Sequence, residues 1–155
     1  MPFLVECKPD RVMIDALTAT PKRNIIHAGN KSGVIKRLIK NYENSKGIVD
    51  EDPGSPEPKY LQRFKEIEEL KDYSIRVLHY ASRNNYLIIL RPRLEDWILR
   101  AAGQSNIDVK KYGLPDDPVI LHAEINLHID KFERLIKDLV RKSRHLRALA
   151  KILMG

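Results

Sequence analysis

Short apolar runs alternate along the chain with stretches whose apolar residues recur every three or four positions. That is the pattern of strands alternating with amphipathic helices. Phe3-Leu4-Val5 reads as a buried strand ending at Glu6. Pro9-Asp10 opens a helix with Val12, Met13, Ala16 and Leu17 on one face, and Pro21 ends it. Asn24–Ala28 reads as a second strand. A polar turn, Gly29–Gly33, follows, with Ser32 as the expected N-cap of a helix over Gly33–Tyr42 that turns Val34, Ile35, Leu38 and Ile39 inward. Gly47–Asp50 is the third strand. Strand, helix, strand, helix, strand in this order predicts a parallel sheet with right-handed crossovers.

The loop from Glu51 to Lys59 carries Pro53, Pro56 and Pro58, and is either a lid beside a site or a stiff surface connection. Leu61, Phe64, Ile67 and Leu70 fall at helical spacing. Ile75–Tyr80 alternates like a strand, Ser82–Asn85 is a turn, and Tyr86–Leu90 is a further strand, which predicts an antiparallel hairpin. Pro92 opens a short helix through Leu94–Leu99, closed near Gly103. Gln104–Pro118 is irregular apart from one helical turn near Ile107–Lys111. From Val119 onward the chain reads as helix. Ile125, Ile129, Phe132, Ile136, Leu139, Leu146, Ala150 and Leu153 make a heptad-like seam interrupted by Ser143. Residues 1–103 thus form an α/β unit and 104–155 a helical extension, which packs on that unit or pairs with a second copy.

Composition narrows the function classes. A formal net charge of +7 favours a polyanionic partner such as DNA or RNA, and Lys and Arg outnumber acids between Lys131 and Lys151. The single Cys7 excludes an internal disulfide framework and a multi-cysteine metal site. No apolar run approaches a membrane span, and Met1–Glu6 lacks the basic start of a signal peptide, so the expected location is cytoplasmic with no membrane partner. Neither a Gly-x-x-x-x-Gly-Lys-Ser/Thr loop nor a Gly-x-Gly-x-x-Gly turn is present, which argues against an NTPase or a dinucleotide enzyme.

The chemistry-bearing stretch is Gly47-Ile48-Val49-Asp50-Glu51-Asp52-Pro53-Gly54. Along a continuing strand, Asp50 and Asp52 would share a face while Glu51 points away. Asp-Glu-Asp-Pro-Gly is also ordinary turn chemistry. Functional groups of a parallel sheet gather at the carboxyl ends of its strands, so Glu6, Asp50 and Asp52 would converge if their strands are neighbours. Oxygen ligands alone point to Mg²⁺ or Mn²⁺.

Glu6-Cys7-Lys8-Pro9-Asp10 after an apolar strand resembles the first motif of the TOPRIM domain family, and Asp50-Glu51-Asp52 its Asp-x-Asp motif. The family's Gly after the Glu is Cys7 here. Ile88–Trp97 is similar to the later part of small stand-alone and OLD-nuclease-like members. The resemblance implies a Rossmann-like, mainly parallel sheet flanked by helices, here with a long C-terminal helix. It implies Mg²⁺-dependent phosphodiester chemistry on nucleic acid, as a nuclease or nucleotidyl transferase. By it Glu6 would be a general acid/base or metal ligand and Asp50 and Asp52 metal ligands, with Glu95 a further candidate. The alternative is a non-catalytic member that binds nucleic acid or protein, or an oligomerising scaffold.

Other residues carry two readings. Lys8 would meet a phosphate or be a solvated charge, and Asn30 and Lys31 would hold a phosphate at a helix N-terminus or be plain turn residues. Arg91 and Arg93 would hold a nucleic-acid backbone. Glu95 and Asp96 equally suit the dipole of the helix they open. Cys7 is expected to be a small buried residue, Trp97 a core anchor, and the five histidines scattered without ligand spacing.

Overall fold

The computed structural model describes residues 1–155. Its strands are β1 (Phe3–Val5), β2 (Ile25–His27), β3 (Lys46–Asp50), β4 (Lys65–Leu70), β5 (Ile75–Tyr80) and β6 (Asn85–Leu90). The helices are α1 (Lys8–Thr18), α2 (Lys31–Lys40), α3 (Leu94–Gln104), α4 (Pro118–Glu124), α5 (Ile129–Lys142) and α6 (Arg144–Met154). All strands join one mixed α/β sheet in the order β2-β1-β3-β6-β5-β4. β1 pairs parallel with β2 and β3, and β3 pairs parallel with β6, whereas β5 runs antiparallel to both β6 and β4.

The period-two alternation of each strand builds two cores. Phe3, Val5, Ile48, Ile88 and Leu90 face one side, with α1, α3 and the helices after residue 117. Leu4, Val49, Leu87 and Ile89 face the other, under α2. Gly47 lets α2 approach β3, because a Cβ there would stand 2.6 Å from Val34 Cγ1 and 2.8 Å from Leu38 Cδ1. The chain leaves β1 for β2, then returns past β1 to β3, with α1 and α2 on opposite faces. The direction of winding therefore reverses between β1 and β3, the place where open α/β sheets form a crevice.

Three expectations are corrected. The Leu61/Phe64/Ile67/Leu70 stripe is not a helix. Lys59–Arg63 is a single 3-10 turn, and Lys65–Leu70 is the edge strand β4. Its three-residue spacing arises because Leu61 and Phe64 are buried from the turn while Ile67 lies half exposed on the edge. Lys65, Glu66, Glu68 and Glu69, with a register shift between Glu66 and Glu68, make that edge charged and irregular, which opposes pairing with another sheet. The N-cap of α2 is Asn30, not Ser32: Asn30 Oδ1 accepts from Gly33 N at 2.7 Å.

The long C-terminal helix is instead α4, a 3-10 turn over Ile125–His128, α5 and α6. Ser143 is extended and its hydroxyl caps α6 by accepting from Leu146 N at 3.3 Å. The seam residues Ile125, Phe132, Ile136, Leu139, Leu146 and Leu153 are buried in the larger core with α1 and the sheet. They are consumed within the chain, so they offer no surface to a second copy.

Two buried polar side chains join distant segments. Asn85 Oδ1 accepts from Ser45 N at 2.8 Å, and its Nδ2 donates to Leu38 O at 2.5 Å and Tyr42 O at 2.8 Å. Lys46 Nζ donates to Ile152 O at 2.6 Å and Leu153 O at 3.0 Å, answering the unpaired carbonyls at the end of α6. Trp97 is fully buried and donates to Tyr73 O at 2.7 Å. No helix is long and apolar enough to cross a membrane.

Asn85→Ala strands one buried donor and two buried acceptors. It is expected to lower the unfolding free energy by roughly 2–4 kcal/mol in urea titrations. A change below about 0.5 kcal/mol, the usual range of a surface substitution, would contradict this role.

Candidate active site

Parallel pairing of β1 with β3 sets Val5 beside Ile48, so Glu6 leaves its strand next to the end of β3. Glu6 Oε2 accepts a hydrogen bond from Asp50 N at 3.1 Å. α1 starts immediately after Glu6 and turns Asp10, only 2% exposed, back toward the same corner. The expected meeting of the first and third strands at one rim is therefore present for Glu6 and Asp50, and it includes Asp10.

Electrostatics records this crowding. Burial raises the Glu6 pKa, and the negative charges of Asp52 and Glu95 add to the rise against Asp50 N–H and Lys31. Asp10 is held well above the carboxylate range by burial, then by the charges of Asp50 and Glu6. Asp50 is pushed up to about 7 by burial, then by Glu6, against a hydrogen bond from the Leu94 backbone. Cys7, expected to be buried, is exposed as a residue, but its thiol turns inward to donate to Asp10 Oδ2 at 3.5 Å, where desolvation and then the Asp10 charge raise its pKa. It is not poised as a nucleophile.

Asp52 departs from the expectation of a shared strand face. β3 ends at Asp50, and Asp52 adopts a left-handed backbone with φ of 48°. Its N–H donates to Pro92 O at 2.8 Å, and its carboxylate takes Ser55 Oγ at 2.7 Å and Arg93 Nε at 3.2 Å. Those partners, Ser55 first, hold its pKa below the usual range. Asp52 thus stands at the rim of the acid corner, tied to an arginine. Glu51 points the other way, as alternation requires, to Arg91 at 2.6 Å and Arg76 at 3.7 Å.

The corner opens into a cavity of about 530 Å³ that Glu6, Asp50, Asp52, Lys31, Arg93 and His122 help to line. Asn30 and Ser32 also reach it, with Ser55, Pro56 and Pro58 of the proline-rich loop forming another wall. Asn30 spends its side-chain oxygen as the α2 cap, and Lys31 Nζ donates to Glu51 O at 2.9 Å. Two expected phosphate contacts lie elsewhere. Arg91 pairs with Glu51 and with Glu69 at 3.0 Å and lines a separate cavity of about 430 Å³. Lys8 is exposed and outside the acid cavity.

Glu95 is buried at the start of α3, near enough for its charge to act on both Glu6 and Asp50. One carboxylate oxygen meets His122 Nδ1 at 2.6 Å, and the other, Oε2, is buried with no hydrogen-bond partner. Sequence reading missed His122 because its partner lies 27 residues away and α4 has to fold over α3 to join them. No group of three His, Cys, Asp or Glu side chains is disposed to ligate one ion. What the corner offers a cation directly is the Glu6–Asp50 pair, leaving the remaining positions to water or phosphate oxygens.

Comparison with protein-family models, with curated proteins and with solved structures returns no match.

The raised pKa values fix a sign for stability. Protons on Glu6, Asp10 and Asp50 are held more tightly in the folded chain than in the unfolded one. The stability they contribute is full below the ordinary carboxyl range and is lost as pH rises through the folded values, to about 7 for Asp50. His145 works in the opposite sense, because burial lowers its pKa. The comparison that isolates the carboxyl is therefore Asp50→Asn against wild type without divalent cation. The variant should gain stability progressively from about pH 4 to neutrality, reaching on the order of 2–4 kcal/mol. A difference that stays flat across this interval in urea titrations would show that Asp50 is not perturbed.

Proposed function

We propose that this chain is a TOPRIM-type domain that performs Mg²⁺- or Mn²⁺-dependent phosphodiester chemistry on nucleic acid, as a nuclease or nucleotidyl transferase. The observation that carries this reading is the half-buried Glu6 carboxylate held by the Asp50 backbone N–H at the carboxyl ends of adjacent parallel strands, where the winding of the sheet reverses. The Glu6 charge acts on the Asp50 carboxyl, and a divalent cation would relieve that repulsion.

Glu6 and Asp50 would hold the ion, with the buried Asp10 packed behind them. When bound, Mg²⁺ supplies Lewis-acid polarisation of a phosphoryl oxygen. Lys31 and Arg93 face the same cavity and would receive non-bridging phosphate oxygens, Arg93 by exchanging its bond to Asp52. Glu95 orients the His122 ring through Nδ1, which leaves Nε2 to exchange a proton at the reacting oxygen. The excess of positive charge on the chain favours a polyanionic substrate.

A second reading has one observation in its favour. Asp52 is engaged by Ser55 and Arg93, and no three ligands share one focus, as in a domain of the same type that binds nucleic acid or a protein without turnover.

Incubation of the full chain with labelled single- and double-stranded DNA and RNA, with Mg²⁺, Mn²⁺ or EDTA, separates the two. The catalytic reading expects metal-dependent cleavage or strand transfer that falls at least about a hundredfold in Asp50→Asn, a size typical of losing an essential electrostatic group. It also expects a Mg²⁺-induced rise in Tm that Asp50→Asn abolishes. Cleavage at the wild-type rate by the variant would mark a contaminating nuclease. Binding that ignores metal, with no turnover, would establish the second reading.

A further inference from the structure

We propose that the exposed side of α2 and the Lys59–Arg63 turn form a binding track for single-stranded nucleic acid, with Tyr60 as the platform for one unpaired base. Three cations surround this one ring: Arg63 at 5.1 Å from its centroid, Lys40 at 5.2 Å and Lys36 at 5.8 Å. Lys40 Nζ also reaches the Tyr60 hydroxyl at 3.5 Å. None of the three takes part in an ion pair with a carboxylate. Like charges gathered on a surface without counter-charges repel one another, and a polyanion relieves that repulsion.

The track is continuous with the acid cavity in two ways. α2 begins at Lys31, which lines the cavity, and Lys36 and Lys40 follow about 7 and 13 Å along the helix axis. The Lys59–Arg63 turn follows Pro56 and Pro58, which form another wall of the same cavity. A strand whose phosphates rest on Lys36, Lys40 and Arg63 would therefore run toward Lys31 and the acids.

Tyr60 is half-buried and packs at the margin of the smaller core. The pairing of cations with an aromatic ring is the combination that recognises unpaired bases, since every base presents a π-face for stacking. A duplex hides those faces, so the track distinguishes single strands from duplex.

The direction of the strand rests on the proposed function, but the binding does not. Its test is fluorescence anisotropy in EDTA over a salt series, using the full chain, a labelled oligothymidylate, an oligouridylate and a duplex of the same length. Single strands should bind more tightly than duplex. Lys36→Gln/Lys40→Gln should flatten the slope of log K against log salt by about 1.4, roughly 0.7 per lost contact. Tyr60→Ala should weaken single-strand binding roughly five- to hundredfold, the range of one lost stack, and leave duplex binding unchanged. Tyr60→Phe, which keeps the ring, should bind as wild type and serves as the folding control.

Wild-type affinity and slope in the lysine double variant, or a Tyr60→Ala loss shared equally by duplex, would overturn the track. Binding that follows these variants in a chain with no metal-dependent cleavage would refute the catalytic reading and leave the track standing. Cleavage by wild type with binding indifferent to all of them would do the reverse.

Discussion

The gathering of Glu6, Asp10 and Asp50 into one partly desolvated corner is the constraint on which the site depends. Loss of solvent first, and the charges of neighbouring acids second, raise the pKa of all three carboxyl groups. The surrounding structure offsets the burden piecemeal. Asp50 N–H donates to Glu6, Lys31 lies close enough to lower the Glu6 pKa, and the Leu94 backbone donates to Asp50. A fold selected for stability alone would place leucine or valine at such positions, since an apolar substitute for buried charge is often neutral or stabilising. The retention of acids at a strand-end crevice is what gives the corner its functional interest.

The neighbouring segment holds the corner rigid. Glu51 and Asp52 follow Asp50 directly, and their backbone N–H groups bond to Leu90 O and Pro92 O, continuing the β3–β6 pairing past the formal end of the strand. Glu51 is then anchored on Arg91 and Arg76, and those arginines reach on to Glu69 and Glu66 of the edge strand β4. The chain of alternating charges runs from the sheet edge to the residue beside Asp50. Arg91, read from sequence as a nucleic-acid contact, takes part in this anchoring.

Much of the architecture was legible from local pattern. Phe3–Val5, Ile75–Tyr80 and Tyr86–Leu90 read as strands because their alternation or continuous apolarity matches a sheet with both faces covered. The antiparallel hairpin of β5 and β6 followed from two runs flanking a short polar turn. β4 was not legible, because an edge strand with five consecutive exposed residues is solvated on both faces and has no apolar alternation to read. Leu61 and Phe64 then completed a false helical stripe. Within the site, the Glu6–Asp50 meeting was legible because parallel neighbours put strand ends side by side. Asp52 was misplaced because the strand was assumed to continue where the backbone turns left-handed. The Glu95–His122 contact depends on how α4 lies over α3, which no local spacing encodes.

The bonds from Lys46 to the carbonyls of Ile152 and Leu153 span 106 and 107 residues of sequence. Lys46 is the first residue of β3, in the middle of the sheet, and its ammonium is almost wholly shielded from solvent. During synthesis from the N-terminus, this ammonium has emerged long before the groups that will accept its protons exist. The Lys46 end of β3 lacks these acceptors until α6 docks on it, and contacts of such high sequence separation form slowly. Completion of the fold is thereby coupled to completion of the α6 segment.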